Sequence, residues 1–180
     1  MNQCTVVHVK HHDFDVYGGR QVTIRRKQGT IFLARSPFAN PFVVGRHGTR
    51  DQVIAQFRPH FLSRIDLMRQ ARRELAGQRV ACWCAPEACH LDVVAAVVNL
   101  TELQFGVLVD VVEATRSTPN HTVMLSNLYT PNQTDETYAL VELGAVDLVE
   151  CFDPETDTPG DMLVRIPRPE QPMRLARAQK

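Results

Sequence analysis

The sequence has no long apolar run and no segment that resembles an export signal. Its apolar stretches all fall short of the roughly 18 to 20 consecutive apolar residues that a membrane-spanning helix needs. The N-terminal segment MNQCTVVHVK lacks the order of basic, apolar and small residues that marks a secretory signal. We therefore expect a soluble cytoplasmic protein that has no membrane partner.

The sequence also lacks the short motifs that mark several common enzyme classes. It contains no GxGxxG, Walker loop, HExxH or GxSxG. Nothing therefore favours a Rossmann dinucleotide-binding enzyme, a kinase-like enzyme, a metalloprotease or a serine hydrolase. Any chemistry has to come from another arrangement of residues.

Cysteine is scarce outside one short segment. Three of the five cysteines, Cys82, Cys84 and Cys89, fall within eight residues, and an odd number spaced in this way is not the disulfide framework of a small secreted domain. We expect all five to be reduced thiols. Cys4 and Cys151 stand singly in apolar surroundings, so we expect them to be buried core residues.

Basic residues are nearly absent from the second half of the chain. Residues 101–162 contain one basic residue, Arg116, against 12 acidic residues, whereas residues 1–100 contain 14 basic and 7 acidic residues. This segregation predicts two units with different partners. The first suits an anionic small molecule. The second suits a basic protein partner and is unsuited to direct nucleic-acid binding, because it lacks the cations that neutralise phosphates.

The first 99 residues show the element order of a Rossmann-like open α/β sheet with flanking helices. Parallel strands in such a sheet bind ligands at their carboxyl ends, so we expect a ligand pocket where the segment RVACW passes into CAPEAC. Thr49 and Gln52 form a capping box at the start of the first helix, and Pro59 should kink or divide that helix. The predicted elements are a strand at Cys4–His11, a hairpin of Gln21–Arg26 and Thr30–Leu33, an ordered SPFANPF loop, helices from Thr49 and over Arg64–Ala76, a strand at Arg79–Trp83 and a helix at His90–Asn99.

Residues 100–166 form an acidic second unit with the outline of a winged helix. Thr101 caps a helix with a 3.6-residue apolar period, and a further helix fits Thr134–Gly144. We count the apolar piece VMLSNLY as the third short helix, and strands at Val146–Phe152 and Met162–Ile166 close the unit as a hairpin. Residues 167–180 are basic, contain proline, and are expected to form a flexible tail.

The segment Cys82-x-Cys84-x4-Cys89-His90-x-Asp92 carries the most chemical information, and three interpretations of it compete. Cys82, Cys84, Cys89 and His90 could bind zinc, although adjacent cysteine and histidine ligands are unusual in zinc sites. Cys89 or His90, at the start of a helix, could act as a catalytic thiol or acid–base group that Asp92 orients. Alternatively, the thiols fill core space while Cys89 and His90 shape the floor of a pocket.

The chain also resembles a family that occurs in phages and bacteria. The runs VVHVKHHDFDVYGGR, SPFANPFVVG, GTRDQVIAQF and RVACWCAPEACHLDVVAAVVN are similar, in order, to the DVYIGR, GNPF, GTREE and CWCAPxxCHGDVLAE elements of an uncharacterised domain of unknown function. The resemblance covers about residues 5–99 and implies a Rossmann-like α/β fold and a phage or bacterial origin, hence a host-cytoplasmic location for a phage protein. Gly18 replaces the usual isoleucine, and Ala39 and Leu91 replace usual glycines in the expected pocket, where they would narrow or alter the site.

Several residues of the resembling segments suit a nucleotide-like ligand. Arg20 could grip a phosphate in a bidentate manner, or make an exposed salt bridge. Asn40 could read a ribose or a base edge, or stabilise its own loop. Phe42 and Trp83 could stack on a base or anchor their loops, and Arg50, at a helix start, could hold a bound anion. The candidate ligand-binding residues are Lys10, Tyr17, Arg20, Ser36, Asn40, Phe42, Arg50 and Trp83.

Three functional hypotheses follow. The leading one is an accessory or counter-defence protein of a phage or bacterium whose first unit binds, and perhaps processes, a nucleotide or nucleotide-derived metabolite without a cofactor. The second is an enzyme of nucleoside or modified-base metabolism that uses Cys89, His90 and Asp92, with zinc as the conceivable cofactor. The third is a host-takeover or scaffolding protein that acts through the acidic second unit. All depend on Arg20, Asn40 and His90 converging around one hollow.

Overall fold

The computed structural model describes residues 3–26, 29–118, 122–124, 134–153 and 158–167. The chain divides into two compact units, Met1–Asn99 and Leu100–Lys180, close to the predicted boundary. In the described residues, no single helix is both long and apolar enough to cross a membrane. The helices at His90–Val98 and Glu102–Arg116 pass that test only as a pair with a sharp bend between them.

The first unit is built on a three-stranded parallel sheet. Its strands are β1 (Thr5–His8), β2 (Val16–Tyr17) and β5 (Arg79–Cys82), and β5 lies in the middle, paired with both neighbours. Val80, Ala81 and Cys82 are buried, as expected of a short apolar central strand. The parallel pairing of the first and last predicted strands confirms the α/β class. Sequence analysis missed β2, which is two residues long.

A separate antiparallel hairpin lies between β2 and β5 in the chain. Its strands are β3 (Val22–Arg26) and β4 (Gly29–Leu33). Gly29 has a φ of 131°, a conformation that side chains disfavour, so glycine suits this position after the turn. The predicted hairpin is confirmed. Its first strand begins one residue later than predicted and its second strand one residue earlier.

Three helices complete the first unit: α1 (Arg50–Leu62), α2 (Ile65–Leu75) and α3 (His90–Val98). The Thr49 hydroxyl accepts a bond from the Gln52 amide and the Gln52 side chain accepts one from Thr49, so the predicted capping box is present. Gly77, with a φ of 73°, follows α2. Helix α3, apolar nearly all round, contacts α1, α2 and β1.

Pro59 does not divide α1, which corrects one alternative of the prediction. The helix continues for three residues beyond the proline to Leu62. An interior proline costs about 3 kcal/mol. Here Val53, Phe57 and Phe61 bury one face on both sides of the proline, and that packing offsets the cost.

The ends of α3 and β1 are joined by one side chain. The Asn99 Oδ1 accepts a hydrogen bond from the Cys4 amide (2.8 Å), and the Asn99 Nδ2 donates one to the Cys4 carbonyl (3.0 Å). Cys4 is buried, as predicted, and burial raises the pKa of its thiol to about 11. The side chain of Cys151 lies outside the described residues.

The second unit combines two described helices with an antiparallel sheet. Its elements are β6 (Thr122–Met124), β7 (Asp147–Asp153), β8 (Thr158–Arg165), α4 (Glu102–Arg116) and α5, which is the helix at Thr134–Glu142. Strand β8 lies between β6 and β7. The predicted closing hairpin is confirmed, and β8 begins four residues earlier than expected because Thr158 and Pro159 pair with β7.

The third helix predicted for this unit is not borne out at its start. The first two residues of VMLSNLY lie in β6, where they pair with β8, because β-branched and apolar residues suit a sheet position as well as a helix. Residues 125–129, the rest of that piece, lie outside the described residues, as do residues 168–180 of the predicted tail. The described architecture is a mixed α/β fold with a small parallel sheet.

Candidate functional site

One cavity of about 280 Å³ lies at the carboxyl ends of β2 and β5. Loops that leave these strands supply most of its wall, the loop before α1 supplies another part, and α1 itself contributes Arg50, Val53 and Ile54. This is the edge of a parallel sheet at which ligands bind in open α/β folds. The lining residues are Tyr17, Gly19, Arg20, Gln21, Val22, Asn40, Phe42, Val44, Arg50, Val53, Ile54, Cys82, Trp83, Cys84, Ala88 and His90.

Sequence analysis placed many of these residues at one site. Arg20, Asn40 and His90, on whose convergence the functional hypotheses depend, all line this cavity. The other predicted site residues on its wall are Tyr17, Phe42, Arg50, Cys82, Trp83 and Cys84. Lys10, Ser36, Cys89 and Asp92 do not line it. The hollow exists, whereas the roles of its residues in binding stay predictions.

The residues that sequence analysis missed are mostly small or apolar. Val53 and Ile54 follow Arg50 by one helical turn on α1, so their spacing places them near the arginine. Both are buried, so they belong to the core and also line the cavity. Gly19 and Gln21 flank Arg20 in the chain, and that adjacency was the available signal.

Among the described residues, the cavity wall carries two arginines and no carboxylate side chain. Arg50 forms an ion pair with Glu87 at 2.9 Å through Nη2. Its Nη1 is buried and has no hydrogen-bond partner among the described residues. A buried guanidinium N–H without an acceptor costs free energy, so the site favours an anion that supplies one.

Aromatic rings form another part of the wall. Trp83 is 38% exposed, and the Lys10 ammonium lies 4.8 Å from its ring centroid. Lys10 therefore borders the site through Trp83. It stands in the turn after β1. The Tyr17 hydroxyl donates to the Arg20 carbonyl at 2.6 Å, and burial raises the pKa of that hydroxyl.

The polar residues of the SPFANPF segment stabilise their own loop. The Asn40 Nδ2 donates to the Val53 carbonyl (3.0 Å) and its Oδ1 accepts from the Phe42 amide (2.8 Å). The Ser36 hydroxyl accepts from the Phe38 amide (3.1 Å). Ser36 is buried and does not line the cavity, and its predicted part in ligand binding stays a prediction. Its role is to shape the loop that presents Asn40 and Phe42.

Cys89 and Asp92 cap α3. The Asp92 carboxylate accepts a bond from the Cys89 amide (2.7 Å), and the Cys89 sulfur accepts one from the Leu91 amide (3.4 Å). Burial raises the pKa of Asp92. These contacts favour the structural interpretation of the segment. Both side chains accept hydrogen bonds from backbone N–H groups at the start of α3, which have no partner within the helix. Neither is on the cavity wall.

His90 is held between a backbone carbonyl and a thiol. Its Nε2 lies 3.2 Å from the Gly18 carbonyl oxygen and its Nδ1 lies 3.6 Å from the Cys89 sulfur. A carbonyl only accepts, so Nε2 carries the proton and Nδ1 presents its lone pair to Cys89. Phe57 packs edge-on against the ring. Burial lowers the pKa of His90, so the imidazole is neutral near pH 7.

The sulfur atoms of Cys82, Cys84 and Cys89 all lie within 4.8 Å of one another. This cluster, the thiol cluster, could hold a metal ion. Hydrogen bonds from Cys82 and Cys89 hold the pKa of Cys84 well below its usual range. The bond to Cys84 raises the pKa of Cys82, and bonds to Cys82 and Cys84 raise that of Cys89. Of the three thiols, Cys84 is therefore the one whose pKa its neighbours lower.

The two residues that replace usual glycines of the resembling family, Ala39 and Leu91, were expected in the pocket but lie outside the cavity wall. Leu91 and Ala39 are buried and do not line it. A Cβ on Gly18 would lie 2.6 Å from the Leu91 Cδ1 and 2.9 Å from a Val80 methyl. Leu91 thus fills the space that a side chain at position 18 would need.

Together, the fold and the cavity define a small α/β domain with a cationic, aromatic-lined pocket at the carboxyl edge of a parallel sheet. The chain belongs to the family described as Domain of unknown function (DUF4326), whose model matches residues 7–100. The resemblance noted in the sequence is thereby confirmed.

The comparison with curated proteins gives a phage relative. The chain is 29% identical over 99 residues to the uncharacterized 12.4 kDa protein in the nrdA-td intergenic region of Enterobacteria phage T4, a match that covers 53% of this chain and 78% of the phage protein. No solved structure matches the chain significantly.

Proposed function

We propose that the first unit binds a small phosphate-bearing, nucleotide-like molecule in this cavity, as an accessory or counter-defence protein of a phage or bacterium. The observation that carries the proposal is the pairing of Arg20 and Arg50 with aromatic rings around one hollow that has no carboxylate on its wall. Phosphate needs the cations and a base or sugar face needs the rings.

The size of the cavity narrows the ligand class. Small-molecule sites usually enclose about 300–1,000 Å³, and this cavity, at about 280 Å³, is near the lower limit. It suits a single nucleoside phosphate. A dinucleotide or an ADP-ribose-like molecule would extend beyond it, along the exposed face of Trp83.

The two arginines supply different contributions to binding. Arg20 is exposed at the rim, and no hydrogen bond or ion pair engages its guanidinium among the described residues, so it can meet a phosphate without breaking a contact. Arg50 is fixed by Glu87 and has a buried Nη1 in need of an acceptor. A hydrogen bond between charged groups contributes about 1.5–3 kcal/mol.

Calorimetric titration with nucleoside mono-, di- and triphosphates tests the proposal. We expect measurable binding to the wild-type protein and a loss of about tenfold or more in affinity for Arg20→Ala and Arg50→Ala, since 1.4 kcal/mol corresponds to a factor of ten. Arg69→Ala, an exposed arginine on α2 outside the cavity, is the matched control and should bind like the wild type. Absence of binding by the folded wild-type protein to every nucleotide would contradict the proposal.

A second candidate function is enzymatic processing of the bound ligand, in nucleoside or modified-base metabolism. The observation in its favour is that His90 lines the cavity with a neutral ring whose tautomer is fixed by the Gly18 carbonyl, as an acid–base group requires. Turnover of a bound nucleotide that persists unchanged in His90→Gln would contradict it. Turnover lost in that variant, with ligand affinity retained, would support it.

Four finer assignments belong to the same proposal. The first unit is proposed as Rossmann-like, because its parallel strands carry helices and a ligand hollow at their carboxyl ends. The second is proposed as winged-helix-like on its closing hairpin and helices, and its acidic composition is proposed to serve a basic protein partner. The proposed cofactor is a zinc ion at the thiol cluster, two of whose cysteines, Cys82 and Cys84, line the cavity.

A further inference from the structure

The thiol cluster joins the end of strand β5 to the start of helix α3. Cys82 ends β5 and Cys84 follows two residues later, while Cys89 is the N-cap of α3. The loop between Cys84 and Cys89 turns the chain back. The Cys89 sulfur therefore lies close to the sulfurs of Cys82 and Cys84, seven and five positions earlier in the sequence. Cys82 and Cys89 are buried and Cys84 is half-buried. Three converging thiols supply the ligand type that structural and catalytic zinc sites use.

The spacing of the sulfurs matches a tetrahedral metal site. Zinc–sulfur bonds are about 2.3 Å long, which places two sulfur ligands of a tetrahedral ion about 3.8 Å apart. The sulfurs of Cys82 and Cys84 are 3.7 Å apart. All three pairs lie within 4.8 Å, so small side-chain rotations suffice to close the remaining edges.

The surroundings suit thiolate ligands. The Leu91 amide donates to the Cys89 sulfur, and backbone N–H bonds of this kind orient and stabilise a ligating thiolate. Three thiolates around a dication leave one negative charge. The Arg50 guanidinium is close enough to interact electrostatically with Cys84 and compensates that charge.

We propose that Cys82, Cys84 and Cys89 bind one Zn²⁺ ion, whose fourth position is open to the cavity. Cys82 and Cys84 line the cavity, so a water molecule or an incoming ligand can reach the ion from that side. His90 is not the fourth ligand in this arrangement, because its ring is held by Gly18 and Phe57 and its nitrogens fall outside the group of mutually close ligand atoms. Three protein ligands with an exchangeable fourth position are typical of catalytic zinc.

The metal content of the full chain, purified without chelators, tests the proposal. We expect about one zinc ion per chain by elemental mass spectrometry, and loss of that zinc in Cys84→Ser, where the half-buried position tolerates the change. Cys4→Ser is the control, because Cys4 is a buried thiol outside the cluster, and it should retain the metal. Circular dichroism establishes that each variant is folded.

Cobalt replacement gives a second readout that does not depend on zinc content. The Co²⁺-loaded wild-type protein should show thiolate-to-cobalt charge transfer and the intense visible bands of a tetrahedral site, and added imidazole should shift the visible bands by entering the open position. His90→Gln should retain the spectrum of the wild type. Cys89→Ala should lose the charge-transfer intensity if it folds.

Several outcomes would overturn the inference. A folded wild-type protein that binds neither zinc nor cobalt, or a Cys84→Ser variant that keeps full metal, contradicts a site at the thiol cluster. Metal loss in His90→Gln, or a spectrum that imidazole does not change, contradicts the open fourth position. The inference does not rest on the proposed nucleotide, so failure of the nucleotide titrations leaves it standing, and the reverse is also true.

Discussion

Gly18 and Leu91 share one space in the core of the first unit. The family wording has isoleucine at the first position and glycine at the second, whereas this chain has the small residue first and the large one second. Because a Cβ on Gly18 would meet the Leu91 side chain and Val80, the two departures compensate one another in volume. Of the two, the sequence placed only Leu91 in the expected pocket and gave no link to Gly18, since nothing in one sequence shows that residues 73 positions apart touch.

Exchanging this pair tests the compensation. Gly18→Ile alone should destabilise the protein by about 1–3 kcal/mol through overpacking. Leu91→Gly alone should cost about 3–6 kcal/mol through the cavity it leaves and the glycine in a helix. The double variant should recover at least about 1 kcal/mol of the sum, measured by urea unfolding. Strictly additive losses would show that the two positions are independent.

The buried His90 makes stability depend on pH. Burial lowers the pKa of His90 in the folded protein, so the unfolded chain takes up the proton first as the pH falls below the ordinary histidine pKa of about 6.5. The free energy of unfolding should therefore decrease from pH 7 to pH 5. Burial also lowers the pKa of His60, with the same sign, while the raised pKa of Asp92 acts in the opposite sense at lower pH.

A comparison with His90→Gln isolates the histidine. The variant should lose less stability than the wild type between pH 7 and pH 5, when both are followed by urea unfolding at each pH, since glutamine does not titrate. Parallel curves for the two proteins over this range would contradict the role assigned to His90.

At the scale of elements, helix ends account for residues that looked catalytic. Helices α1, α3 and α4 each begin with a capping box, at Thr49, Cys89 and Thr101. In α3 the residue types are cysteine and aspartate instead of threonine and glutamine. Because cysteine and aspartate near histidine also suggest a catalytic group, the sequence supported both interpretations, and the hydrogen bonds favour the cap.

Removal of the α3 cap should affect stability. Asp92→Ala removes the acceptor of the Cys89 amide bond and should lower the free energy of unfolding by about 1 kcal/mol. Asp92→Asn keeps an acceptor and should lose less. Asp51→Ala, an exposed acid in the first turn of α1, is the control and should cost only a few tenths of a kcal/mol. Thermal or urea unfolding checks the order, and an Asp92→Ala variant as stable as the wild type would contradict it.

At the scale of the whole molecule, the chain is two units with opposite charge. Every residue of the candidate site lies in the first unit, between Tyr17 and His90. The family model ends at residue 100, and the phage relative is a 12.4 kDa protein. The acidic second unit therefore contributes none of the residues that line the candidate site.

The first unit alone should keep the site. A fragment of residues 1–99 should unfold cooperatively on heating, followed by circular dichroism, because the Asn99–Cys4 bonds that close the unit lie inside it. It should also bind the same nucleotide as the full chain within about twofold in affinity. An unfolded fragment, or a folded one without that affinity, would show that the second unit contributes to the first unit's structure or binding.

The sequence by itself determined the local features of this protein. Apolar periodicity and the Thr49 capping box predicted where helices lie, because these signals act over a few residues. The order of strands and helices was enough to predict a parallel sheet and the edge at which a cavity opens, since parallel strands end at one edge.

Only the tertiary structure decided which neighbours each side chain has. The Gly18 carbonyl meets His90 across 72 positions of sequence, Ser36 faces its own loop, and Arg50 is left with a buried N–H that awaits an acceptor. These contacts depend on how the elements pack, and packing is set by shape and burial summed over the whole unit. Local sequence patterns extend over a few residues and therefore do not specify these long-range contacts.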